Sequence, residues 1–366
     1  MLSMESTQKR GYTFWDQSLL PVDEYYERVR SVREAMARNN LSADLVFANN
    51  LNPGNVSYLA GNQAGTLLIT PDGDPAMYTG GGGRELPFQR MLTWIPDVTT
   101  GQPKVMDKVA SELKSRGIEK GTIGLAGGDL LSIANYDAYK EALSNFDLAP
   151  FDTEMRDIRA RKRPREVTVM RMALGMAADS IEAGEKAFAE GASTTTAMIE
   201  AERSGRMNKG RDFRVLANIN GGELRPLEQL YETAHSPLVM WVGLIYLNYW
   251  ADLAVTFPEP QNSSASKAVE AMTKAARAGA KASEVAAAGL SKLNPNEQQS
   301  AINYGLGSGI GLSLREWPRI TPKSDDIVPE GAVLTLRAMA RDGDNVSFAN
   351  ALVHVGSSGG TPLEAL

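Results

Sequence analysis

Apolar residues recur near helical spacing from Asp23 to Asn40, behind an aspartate suited to cap a helix, and Ala43 to Asn49 (ADLVFAN) then reads as a strand. The alternation continues. GTLLIT (65–70), PAMYTG (75–80) and TIGLAG (122–127) predict strands, with helix-like segments at 103–116 and 132–144 between them. Strands and helices in turn predict an α/β domain ending near residue 155. The basic run Arg156 to Arg165 (RDIRARKRPR) contains Pro164 and precedes a long helical pattern, which places a domain boundary there and divides the chain into 1–158 and 159–366. Beyond it, 165–190 and 194–206 predict helices, 238–257 paired strands, and the alanine-rich 264–292 one or two further helices. That order suggests an α+β layer. The glycine run 80–83 lacks the lysine and Ser/Thr of a phosphate loop and reads as a flexible turn.

Composition narrows the chemistry. At 366 residues and 43% hydrophobic content the chain is long enough for two ordinary domains. A net charge of −6 gives no footprint for nucleic acid. The first twenty residues mix charged and polar groups without the apolar run of a signal peptide. The longest apolar candidate for a membrane helix, Pro237 to Trp250, is short and rich in aromatic and β-branched residues, so it reads as buried strand. A cytoplasmic protein without nucleic-acid or membrane partners is the expectation. Zero cysteines exclude disulfides, thiolate nucleophiles and Cys-ligated metals, and the two histidines, His235 and His354, lie far apart in sequence.

The most informative segment is Gly305 to Pro318 (GLGSGIGLSLREWP), followed by Val328 to Arg337 (VPEGAVLTLR). It resembles the signature of the creatinase/aminopeptidase P ("pita-bread") family. There a glycine-rich strand carries a metal-binding histidine, a second histidine follows seven residues later, and a Glu-x-Pro tail succeeds it. The corresponding residues here are Ser308, Arg315 and Glu316-Trp317-Pro318. The segment ending YWADLAVTF (249–257) resembles the one that supplies two aspartates eleven residues apart. Asp252 holds the second position and Trp241 the first. The family's later glutamates fall at Arg337 and Ala349, and Asn55 to Gly61 (NVSYLAG) resembles the creatinase-like N-terminal domain.

The resemblance implies an α/β creatinase-like N-terminal domain, an α+β pita-bread C-terminal domain, and a homodimer. Trp, Ser, Arg and Ala cannot hold two divalent cations, and the guanidinium of Arg337 should repel them. The expectation is therefore a metal-independent creatinase-like enzyme, without cofactor, performing C–N hydrolysis or lyase chemistry on a small carboxylated molecule. An inactive scaffold is the alternative. Asp252, Glu316 and His235 are the acid/base candidates, and Arg337, Arg315, Ser308, Trp241 and Tyr249 the substrate-binding ones. Two alternatives stay open. Arg337 could clamp a ligand or form a structural pair with Asp252, and Arg315 could bind a carboxylate or pair with Glu316.

Overall fold

The computed structural model describes residues 15–49, 52–61, 65–79, 86–100, 104–218, 223–226 and 236–366. The chain divides into two compact units, Met1–Arg159 and Ala160–Leu366. The expected turn at 80–83 and the acid/base candidate His235 lie outside the described residues.

The first unit alternates α1 (Val22–Arg38), β1 (Ala43–Ala48), α2 (Gly54–Ala60), β2 (Gly65–Ile69), β3 (Ala76–Thr79), α3 (Leu86–Met91), β4 (Val98–Thr100), α4 (Val105–Ser115), β5 (Gly121–Ala126), α5 (Ile133–Ala142), β6 (Phe146–Pro150) and α6 (Asp152–Ala160). Helix α1 starts before Asp23, which sits inside the first turn, where its charge favours the helix dipole instead of capping it. Among the described residues the strands form a sheet in the order β4-β3-β2-β1-β5-β6. Strand β1 is antiparallel to β2 and parallel to β5, as befits strands linked by helical crossovers. Leu45, Leu68, Ile123, Val109 and Leu113 close one core between sheet and helices.

In the second unit α7 (Pro164–Ala189) and α8 (Thr194–Met207) precede β7 (Arg211–Ala217), β8 (Leu238–Tyr246) and β9 (Tyr249–Phe257), which make a sheet in the order β7-β8-β9. Pro164 opens α7, where its missing N–H is no loss, and Glu166 accepts from the Arg163 backbone N–H at 2.9 Å. The paired strands expected over 238–257 are β8 and β9. Leu247 and Asn248 both adopt positive φ (44° and 73°), which reverses the chain in a two-residue hairpin turn. The alanine-rich stretch becomes α9 (Ser264–Ala275) and α10 (Ala282–Leu290), followed by α11 (Pro295–Tyr304). Strands β10 (Gly307–Gly309), β11 (Glu316–Arg319), β12 (Val333–Asp342), β13 (Asn345–Val355) and β14 (Gly360–Pro362) form a second sheet in the order β11-β10-β12-β13-β14. Small side chains let α9 pack closely on one face of it beside α11, with α10 packed on α9, so that Ala338, Ala340 and Ala349 share one core with Ala265, Ala268 and Ala286. Its other face meets β8 and β9 through Trp241, Ala254, Met339 and Phe348.

Candidate functional site

Alternation along the strands decides which side chains enter the space between the two sheets. Thr335, Arg337 and Met339 share one face of β12. Arg337 is registered with Asn350 on β13, and Trp241 with Ala254 across β8 and β9. Asp252 stands two residues before Ala254 and is fully buried.

One carboxylate oxygen of Asp252, Oδ2, accepts the indole N–H of Trp241 at 3.1 Å and lies 3.5 Å from the Arg337 guanidinium. The other, Oδ1, is buried without a hydrogen bond of ordinary geometry, as is the Thr335 hydroxyl, yet that hydroxyl lies near enough to Asp252 to favour its charged form. Burial drives the Asp252 pKa upward, and the nearby Arg337 charge, the indole N–H and the Thr335 hydroxyl oppose that rise. Arg337 is itself pulled down by burial, held up by Asp252 and pushed further down by the charges of Arg315 and Arg319. Its Nε donates to the Gly305 carbonyl at 3.3 Å. The Trp241 ring lies over Gly243, where any Cβ would come within 2.7 Å of it.

Asn350 ties the sheets together. Its Nδ2 donates to the Asp252 carbonyl at 3.1 Å, and its Oδ1 accepts from the Ala254 N–H at 2.6 Å. Sequence spacing assigned this position to Ala349, but Ala349 packs against the helices on the opposite face. A one-residue offset in a strand exchanges faces, so only the pairing with Arg337 reveals Asn350.

Three of the expected site residues are engaged elsewhere. Glu316 pairs with Lys162 at 2.8 Å, and its second oxygen accepts from the Ser313 N–H at 3.1 Å. Tyr249 donates to Glu166 of α7 at 3.0 Å, on the face of β9 opposite Asp252. Ser308 is buried and donates to the Gly309 carbonyl at 2.9 Å, although its register with Thr335 keeps it beside the site. The structure thus brings together Asp252, Trp241 and Arg337, with Arg315 near enough to act on the Arg337 charge. Asn350, Thr335 and Arg319 were missed. For Arg319 the available signal was the charge pattern REWPR, which flanks Glu316 with two arginines.

Comparison with known proteins gives two family matches, the Creatinase/Prolidase N-terminal domain over residues 28–161 and Metallopeptidase family M24 over 169–354. The Xaa-Pro dipeptidase of Pyrococcus horikoshii is 24% identical over 330 residues, covering 85% of this chain and 88% of the relative. The prolidase crystal structure from the same organism matches at a TM-score of 0.74 and 19% identity, over 92% of this chain and 97% of the other. The X-Pro aminopeptidase structure from Thermotoga maritima gives the same TM-score and coverage. At such identity these two structures show the fold. The relatives overturn the expectation of metal-independent creatinase-like hydrolysis or lyase chemistry, and that of an inactive scaffold. A relative that resembles this chain along most of its length is named a dipeptidase, and the chain itself matches a metallopeptidase family.

The cations that such a family implies do not fit the side chains found around Asp252. An indole and a guanidinium only donate, the Asn350 Oδ1 is occupied by the Ala254 N–H, and Arg337 places a fixed positive charge beside the one carboxylate. Among the described residues no three carboxylate, imidazole or thiol groups converge to hold a metal ion.

Proposed function

Because the chain belongs to Metallopeptidase family M24, we propose that it is a hydrolase of short peptides, with Xaa-Pro dipeptides as its substrate class. The observation that carries this reading is the match to Xaa-Pro dipeptidase relatives over 85% of the chain, across both units. The geometry around Asp252 supports it. A buried carboxylate with one bare oxygen offers an acceptor for an ammonium or amide N–H, and the guanidinium of Arg337 offers donors beside it. A dipeptide carries both kinds of group. The proposal includes a cytoplasmic homodimer acting on a small molecule, without nucleic acid or membrane. No described helix is long and apolar enough to cross a membrane.

The test is release of proline from Ala-Pro and Gly-Pro by the full chain, as purified and with added Mn²⁺. Cleavage in either arm supports the reading, and the two arms separate a need for added cation from activity carried by the protein as isolated. With Glu316 committed to Lys162, Asp252→Asn and His235→Asn address the other two acid/base candidates, and loss of a proton-handling group lowers turnover by about 100-fold or more. Absence of proline release in both arms would overturn it.

A further inference from the structure

The loop between β10 and β11 is tied to β9, to the start of β12 and to the segment before α7. The Gly311 carbonyl accepts the Trp250 N–H at 2.7 Å, two residues before Asp252 on β9. The Ser313 N–H donates to one oxygen of Glu316 at 3.1 Å, and the other oxygen accepts from Lys162 Nζ at 2.8 Å. Lys162 donates its backbone N–H to the Gly331 carbonyl at 2.9 Å, just ahead of β12. A Cβ on Gly311 would stand 2.7 Å from Lys162 Cε and 2.9 Å from Glu316 Oε2, so the ion pair lies directly on the loop backbone. The side chains that follow reach the site. Leu314 packs on the cluster that contains Trp241, Met339 and Phe348, and the Arg315 charge acts on Arg337.

A buried ion pair is weak evidence for stability, because apolar side chains of similar volume commonly serve as well. A directional, charge-assisted pair seated on a loop does fix where its backbone lies. We propose that Lys162 and Glu316 are positioning residues: they hold the loop from Gly311 to Arg315 so that Leu314 and Arg315 stand beside Trp241 and Arg337, and turnover depends on that placement. The effect on turnover rests on the reading of a peptide hydrolase. The placement of the loop does not.

The experiment compares the full wild-type chain with Lys162→Met/Glu316→Leu and with Gly311→Ala. Three quantities are measured: the urea denaturation midpoint, amide hydrogen exchange of ligand-free peptides covering 305–320, and kcat/KM for release of proline from Ala-Pro. The double variant replaces the pair with apolar side chains and is expected to keep or exceed the wild-type midpoint. In it, exchange across 305–320 rises about 10-fold, as for the loss of one net hydrogen bond, and kcat/KM falls about 10-fold or more. The Gly311 backbone is not left-handed, so alanine suits it, and the added methyl displaces the flexible end of Lys162. Gly311→Ala is expected to give the same two changes, and it decides the matter if the double variant does not fold. Wild-type exchange across 305–320 in a stable variant would overturn the proposal. So would faster exchange with unchanged kcat/KM, which would leave the pair a structural tie only. If the wild type releases no proline with or without added Mn²⁺, the peptide reading fails, and exchange across 305–320 alone decides whether the pair places the loop.

Discussion

Among the described residues the second unit contains two buried ion pairs that differ in how completely they are satisfied. Lys162 and Glu316 meet at 2.8 Å with a hydrogen bond, and the remaining Glu316 oxygen accepts a backbone N–H. Arg337 and Asp252 are 3.5 Å apart without one, and Asp252 keeps a bare oxygen. A closed network fixes geometry, whereas an open one leaves donors and acceptors for something else. Glu316 therefore reads as part of the frame and Asp252 as part of the site, although sequence reasoning gave both the same role. Asp44 on β1 of the first unit extends the comparison to a carboxylate with no hydrogen-bond partner among the described residues, since both its oxygens are buried without one. Burial, aided by the charges of Asp152 and Glu154, pushes it up to about 8.

These differences separate under mutation. Lys162→Met strands a buried Glu316 and should cost about 3–5 kcal/mol in urea denaturation, the cost of breaking a buried pair. Arg337→Met should cost less, about 1–3 kcal/mol, because the pKa of Asp252 is already raised and the group escapes its uncompensated charge by taking up a proton. If the second loss equals or exceeds the first, the contrast between closed and open pairs collapses.

Asp44 gives a pH signature. Its folded pKa lies above the unfolded value, so the folded state holds the extra proton and its contribution is fully present below about pH 4. That contribution is lost as pH rises towards 8, with a limiting slope of about 1.4 kcal/mol per pH unit. Asp44→Asn should flatten denaturation midpoints measured between pH 5 and 8, taken as about the span of that window. The smallest effect is expected for Asn350→Ala, about 1–2 kcal/mol, from two lost hydrogen bonds to the β9 backbone.

Periodicity made most of the framework legible before any coordinates. The helices α7 and α8 and the hairpin β8-β9 follow from apolar spacing, because each buries one continuous face. Short strands such as β10, with three residues, carry too little pattern to be read. Between Val328 and Arg337, Gly331, at a φ of 77°, turns the chain before β12 starts at Val333. At the site, Asp252, Trp241 and Arg337 were legible because a motif fixed their positions. Asn350 and Arg319 depend on cross-strand register, and Glu316 and Tyr249 on partners in α7 and just before it, distant in sequence. Side-chain facing and pairing are set by tertiary contacts that local spacing does not encode.

The most direct test of the distinction between frame and site is amide hydrogen exchange of the full chain with and without Ala-Pro. The account predicts slowed exchange in peptides covering 305–320 and 333–342, where Ser308, Arg315 and Asp252's partner Arg337 lie, with little change in 164–189 around the frame helix. Protection confined to other segments, or none at saturating Ala-Pro, would contradict it.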